Sequence, residues 1–159
     1  MCFGLTSCWQ HTLQTHKVRV RESLIPNAGK GLFCFVRGGG NQIVFRGDHA
    51  QQRWICPYGG ENTTQAVLDT RYSDCTAPYG LAGSSRAVDA ASVRGIGSMA
   101  NGGTLAQSNT FYSWRGGQLN QFWLKCRPGR NIRNGQEIVV YYGPDYRFDD
   151  VVHSTKRAR

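Results

Sequence analysis

Side chains capable of chemistry are scattered along this sequence, and several familiar chemistries can be set aside from their spacing. Cys8-x2-His11-x4-His16, with Cys2 upstream, brings two thiols and two imidazoles within 15 residues, the ligand types of a zinc site. The Cys2-x5-Cys8 interval is too wide for a zinc knuckle, and no metal is assigned there. Gly38-Gly39-Gly40 lacks the Lys-Ser/Thr that completes a phosphate-cradling loop, and no G-x-G-x-x-G opens a helix. There is no G-x-S-x-G elbow to raise a serine nucleophile, and His11, His16, His49 and His153 all lie outside the glycine-rich centre. What does recur is glycine close to tyrosine, acid and amide. Glycine lets backbone approach a ligand closely, and tyrosine offers an aromatic wall with a hydroxyl at its tip.

Those residues need short, strand-built elements to position them. The chain has 159 residues, room for one core of ordinary size. Glycine, at 20 residues, is well above its usual share, which disfavours long helices. With 40% apolar and 11% aromatic residues the chain has enough to fold on, so disorder is also disfavoured. Lys17-Val18-Arg19-Val20-Arg21 alternates as a half-buried strand does, and Pro26–Gly31 is a glycine turn leading into the apolar run Leu32–Val36. Ile43–Phe45, Trp54–Cys56 and Arg86–Asp89 read as further strands. Asn109–Trp114 and Leu119–Cys126 read as a hairpin about Gly116-Gly117, and Arg133-Asn134-Gly135 turns the chain into Glu137–Tyr142. One short helix is expected over 62–70, capped by Asn62 or Thr63. The fold class is mainly β, or strand-rich α+β.

Five motifs stand in order along this frame. They are Gly29-Lys30-Gly31-Leu32-Phe33; Tyr58-Gly59-Gly60-Glu61; Val88-Asp89-Ala90; Met99-Ala100-Asn101 with Asn109 beyond it; and Ile132-x2-Gly135-x-Glu137-Ile138, running on into Tyr141-Tyr142-Gly143-x2-Tyr146. In this order, and with the Asp89-to-Asn101 interval kept, they resemble the SET-domain protein-lysine methyltransferases over about residues 18–148. The resemblance implies a set of small curved β-sheets (a β-clip) with a C-terminal pseudoknot. It divides the chain into a lead-in at 1–16, a SET-like catalytic domain at 17–148 and a basic tail at 149–159. It implies S-adenosylmethionine as cofactor, held by Gly29, Lys30, Gly31, Leu32, Tyr58, Asn101, Gly102 and Tyr142. Tyr142 is the expected catalytic residue, with Tyr112, Val140 and Tyr146 at the substrate. Tyr72 and Tyr79 read better as core aromatics with satisfied hydroxyls, and Asp89 as a residue that stabilises the knot region.

The departures from the family pattern are specific. Its R-F-x-N-H reads Ser98-Met99-Ala100-Asn101-Gly102 here, so the Arg and the His are replaced, and Arg94 is the remaining Arg able to approach. Tyr141 stands in place of an Asp. No Cys-x-Cys-x4-Cys follows Tyr146, so the lid must come from 145–152, from 1–16 or from a second subunit, and the last of these would make the protein a homodimer. Function is then methyl transfer to a protein lysine, a histone tail by resemblance; the alternative is an inactive SET-like scaffold that binds a peptide or nucleic acid. The net charge of +9 suits non-specific contact with nucleosomal DNA, and Asp145, Asp149 and Asp150 offer an acidic patch to a basic tail. Six cysteines without a C-x-x-C pair, and no signal-peptide core at the start, suggest reduced thiols in a nuclear or cytoplasmic setting. No run approaches the roughly 20 apolar residues that span a bilayer, so no membrane partner is expected.

Overall fold

A computed structural model describes residues 16–73, 79–83, 86–116 and 121–143. The first strand, β1 (Val18–Glu22), alternates as its sequence does: Val18 is buried, while Arg19 and Arg21 lie on the outer side over the rings of Phe35 and Phe33. A turn with left-handed Asn27 (φ 62°) and Gly29 (φ 67°) returns the chain into β2 (Lys30–Cys34), closed by the Ser23 N–H donating to the Gly29 carbonyl. Gly31 to Cys34 are all buried because β2 is flanked on both sides, by β1 and by β12 (Glu137–Tyr141).

The remaining strands are β3 (Ile43–Arg46), β4 (Trp54–Pro57), β5 (Glu61–Thr63), β6 (Gly80–Ala82), β7 (Ala87–Asp89), β8 (Asn101–Gly102), β9 (Thr110–Arg115), β10 (Gln121–Cys126) and β11 (Asn131–Arg133). They form one large sheet, in the order β1-β2-β12-β9-β10-β4 with β8 also on β12, and two small ones, β11-β3 and β5-β7-β6. β12 runs antiparallel to β2 but parallel to β8 and β9. The last strand is therefore laid beside the 101–109 segment, and Asn109 ties the two: its amide donates to the Glu137 carbonyl and accepts from the Val139 N–H. The expected hairpin is present as β9 and β10, with Arg115 opposite Gln121.

The expected helix, α1 (Gln65–Arg71), begins later than its expected cap. Thr64, not Asn62 or Thr63, accepts from the Val67 N–H, because Asn62 and Thr63 are used as strand residues opposite Val88 and Ala87. The glycine-rich stretch after Gly95 forms a 3-10 turn (Ile96–Met99) that leads into β8. The main core is built on Val18, Leu32, Ile55, Leu124, Ile132 and Ile138; a second cluster holds Tyr58, Val88, Ala90 and Phe122. Cys34, Cys56 and Cys126 are buried free thiols. Burial pushes Cys34 up to about 12 and Cys126 up to about 11, so both stay protonated at neutral pH. No helix among the described residues is long and apolar enough to cross a membrane.

Candidate functional site

Three distant segments meet at Ala100-Asn101. From β8, the Asn101 side-chain amide donates to the Lys30 carbonyl at 3.0 Å, 71 positions away, and to Glu137 Oε1 at 3.3 Å. From the end of β12, the Tyr142 hydroxyl donates to the Ala100 carbonyl at 3.0 Å, 42 positions away. The G-x-G, M-x-N and Y-Y-G motifs thus converge. Asn101 Oδ1 has no partner among the described residues.

Around Tyr142 stands an array of phenols. Tyr112 and Tyr142 are 5.9 Å apart between ring centroids, and Tyr58 packs edge-on to Tyr112 at 4.9 Å. Each hydroxyl is turned to a backbone carbonyl: Tyr58 to Tyr79 at 2.9 Å, Tyr112 to Gly97 at 3.2 Å, Tyr142 to Ala100. Burial raises Tyr112 well above its ordinary pKa, and the neighbouring Tyr142 and Tyr58 add to it, so it is a neutral hydroxyl. The Tyr58 segment is brought in by glycines. A Cβ on Gly59, which is itself left-handed, would fall 2.6 Å from the Gly95 Cα, so only two glycines let these backbones touch.

Glu137 stands in the fifth motif, but the motif alone assigns it no role at the site. It is buried and takes hydrogen bonds from the Ser23 hydroxyl (2.7 Å), the Leu24 N–H (2.8 Å) and Asn101. A Cβ on Gly31 would lie 2.3 Å from Glu137 Oε1. Gly31 is therefore glycine to admit this carboxylate, whatever its backbone contacts. The spacing gives no signal for this, since the two residues are far apart in the sequence. A cleft of about 330 Å³ opens beside Glu137, lined also by Leu24, Gly102 and Val139.

Not every expected site residue stands at this junction. Leu32 is fully buried and its backbone is paired on both sides, with Val20 and with Ile138, so it has no surface left for a cofactor. Val140, expected at the substrate, is fully buried in the main core opposite Thr110. Gly29 is exposed, and its role is the left-handed turn. The Lys30 side chain pairs with Glu22, leaving only its backbone at the site. Gly102 pairs with Val140 at the rim of the cleft. Arg94 does not replace the family's Arg; its guanidinium stacks on Tyr79, 3.7 Å from the ring centre. Asp89 serves another network, bonded to Arg71 and to the Tyr72 hydroxyl, both at 3.0 Å, with Arg71 also gripping Glu61. Tyr146, Asp145, Asp149, Asp150, the basic tail and the Cys2, Cys8 and His11 cluster lie outside the described residues.

No protein-family profile matches the sequence, and no curated protein matches it. Solved structures do match. The polycomb repressive complex 2 of Chaetomium thermophilum aligns with a TM-score of 0.58 at 18% identity, over 82% of this chain and 16% of that chain. The ctPRC2 structure in complex with H3K27me3 and H3K27M gives 0.57 at 19%, over 84% and 16%. An autoinhibited ctPRC2 bound to S-adenosylmethionine gives 0.55 at 17%, over 88% and 17%. The chain spans about one sixth of the length of these relatives. The shared fold is mainly β and SET-like; in this chain it is built of small sheets, with β12 laid against the 101–109 segment.

Proposed function

We propose that this chain transfers a methyl group from S-adenosylmethionine to the side-chain amine of a protein lysine. The observation that carries the reading is the junction at Ala100-Asn101, where Lys30, Asn101 and Tyr142 are drawn together by hydrogen bonds across 71 and 42 positions.

The donor set suits a cationic cofactor. Asn101 Oδ1 is an acceptor for an ammonium group. The nearby cleft has room for a nucleoside-sized group. When bound, S-adenosylmethionine supplies an activated methyl on its sulfonium. The chain's own residues do the rest by position. Tyr58, Tyr112 and Tyr142 form an aromatic wall for an aliphatic lysine stem, and Tyr112 stays protonated there. Withdrawal from water lowers the pKa of the amine, so it enters uncharged without a dedicated base. The Tyr142 hydroxyl, fixed by Ala100, holds the amine in line. A histone tail is the proposed substrate, supported by the ctPRC2 neighbour in complex with H3K27me3. Such a substrate makes the nucleus its place of work.

Incubation with radiolabelled S-adenosylmethionine and core histones tests the reading. Label should pass to histone with the wild-type chain and fall about 100-fold with Tyr142→Phe, the scale of losing one positioned polar group at a reacting centre. Equal labelling by both proteins would refute the assignment of Tyr142. The second reading, a scaffold that binds without transfer, is favoured by Ser98, whose hydroxyl is folded back on the Gly95 carbonyl. Calorimetry with S-adenosylmethionine separates the two: an enzyme must take up the cofactor.

A further inference from the structure

The hairpin that brings Tyr112 to the tyrosine array has a second face. Along β9, Tyr112 and Trp114 point to one side, so Phe111, Ser113 and Arg115 point to the other. In register with them stand Lys125 opposite Phe111, and Trp123 opposite Ser113. Trp54 of β4 lies opposite Lys125 on the far side. The side chains meet as the register requires. The Arg115 guanidinium lies 4.6 Å from the Trp123 ring centre and 5.1 Å from that of Trp54. Lys125 Nζ lies 5.0 Å from Trp54 and 5.3 Å from Phe111. The Arg53 guanidinium lies 5.9 Å from Trp54.

This face has cations without anions. None of Arg53, Arg115 and Lys125 forms an ion pair among the described residues, whereas Arg71 and Lys30 elsewhere do. Burial and the neighbouring Arg53 together depress the Lys125 pKa, as expected where like charges crowd without a carboxylate. The face is also short of acceptors. Arg53 Nε and Trp123 Nε1 are the two buried side-chain nitrogens without a hydrogen-bond partner among the described residues, and both belong to this cluster.

We infer that the outer face of β4, β9 and β10 binds single-stranded nucleic acid. Arg115, Lys125 and Arg53 would take phosphates, while Trp54 and the guanidinium planes would stack bases. Charge complementarity calls for a polyanion. The aromatic component decides which one, because an acidic peptide needs only the charges, whereas unpaired bases stack on indole and guanidinium planes. In Phe122–Lys125, the best basic and aromatic stretch in the sequence, Lys125 is the partly exposed residue, and the fold sets Trp54 and Arg115 of the two flanking strands in the same cluster. The inference is independent of methyl transfer, because these residues lie on the face of β9 opposite to Tyr112.

Fluorescence anisotropy of labelled oligo(dT) with the full chain, across a salt series, tests it, with folding of each variant checked by circular dichroism. Wild type should bind with an affinity that falls as salt rises. Arg115→Gln/Lys125→Gln should weaken binding and flatten the log–log salt slope by about 0.7 for each phosphate that is no longer neutralised. Trp54→Leu should weaken binding at least about fivefold with its slope unchanged, as expected for one stacked base. Two results would overturn the inference: the double variant binding as wild type does, or polyglutamate competing on equal terms with no effect of Trp54→Leu. The second outcome would assign the face to acidic protein instead.

Discussion

Gly31 shows how a single missing side chain can be dictated from the far end of a chain. Its Cβ position is filled by a Glu137 carboxylate that Ser23, Leu24 and Asn101 hold in place, so the carboxylate cannot yield. Gly31→Ala should therefore destabilise the protein by about 1–3 kcal/mol through overpacking. Thermal melting should fall by about 2–4 °C per kcal/mol. Gly29→Ala meets no neighbour, and its cost should be that of the left-handed turn alone. The G-x-G motif was legible in the sequence, but its reason was not, because a motif displays neighbours in sequence and Glu137 is a neighbour in space. Tyr142 was legible for the opposite reason: the glycine and tyrosines around it travel together in one short segment.

At the scale of elements, alternation was a good guide wherever one side of a strand faces solvent. Val18 and Val20 alternate with arginines and mark β1, and the apolar run after Gly31 marks β2, covered on both sides. α1 was displaced because Asn62, Thr63 and Thr64 are all cap-forming residues, and only pairing with β7 decides which one caps. That junction carries a pH dependence. Burial alone would raise the Asp89 carboxyl, but the Ala91 N–H, Arg71 and Tyr72 together more than reverse this and hold it below the usual carboxylate range. A depressed folded pKa means the unfolded chain binds the proton more readily. The stabilisation is then complete above the unfolded value near 3.9 and is lost as pH falls through the folded one. Urea unfolding of the wild type should weaken over this acid window, and Asp89→Asn should be less stable at pH 7 with a flatter acid limb. Parallel acid limbs in the two proteins would count against the network.

For the whole molecule, charge was visible in composition and its arrangement was not. The basic and aromatic residues of the β4–β9–β10 face come from positions 53–54, 111–115 and 123–125, and only register sets them side by side. The same holds for the main sheet, whose third strand in spatial order, β12, is the last in sequence among the described residues. Its bonds are long-range, such as the Cys34 N–H to the Gln136 carbonyl. Closing loops of that length before any contact rewards them makes folding slow, so stopped-flow refolding should run in milliseconds to seconds or longer rather than microseconds. Synthesis sharpens the point. A ribosome making this chain releases β2 and β9 long before β12 exists to separate them. Until then both strands have an open hydrogen-bonding edge, the kind that pairs with the wrong chain. The nascent protein thus passes through an interval in which these edges are open to mispairing, and that interval ends only when Glu137 to Tyr141 leave the exit tunnel.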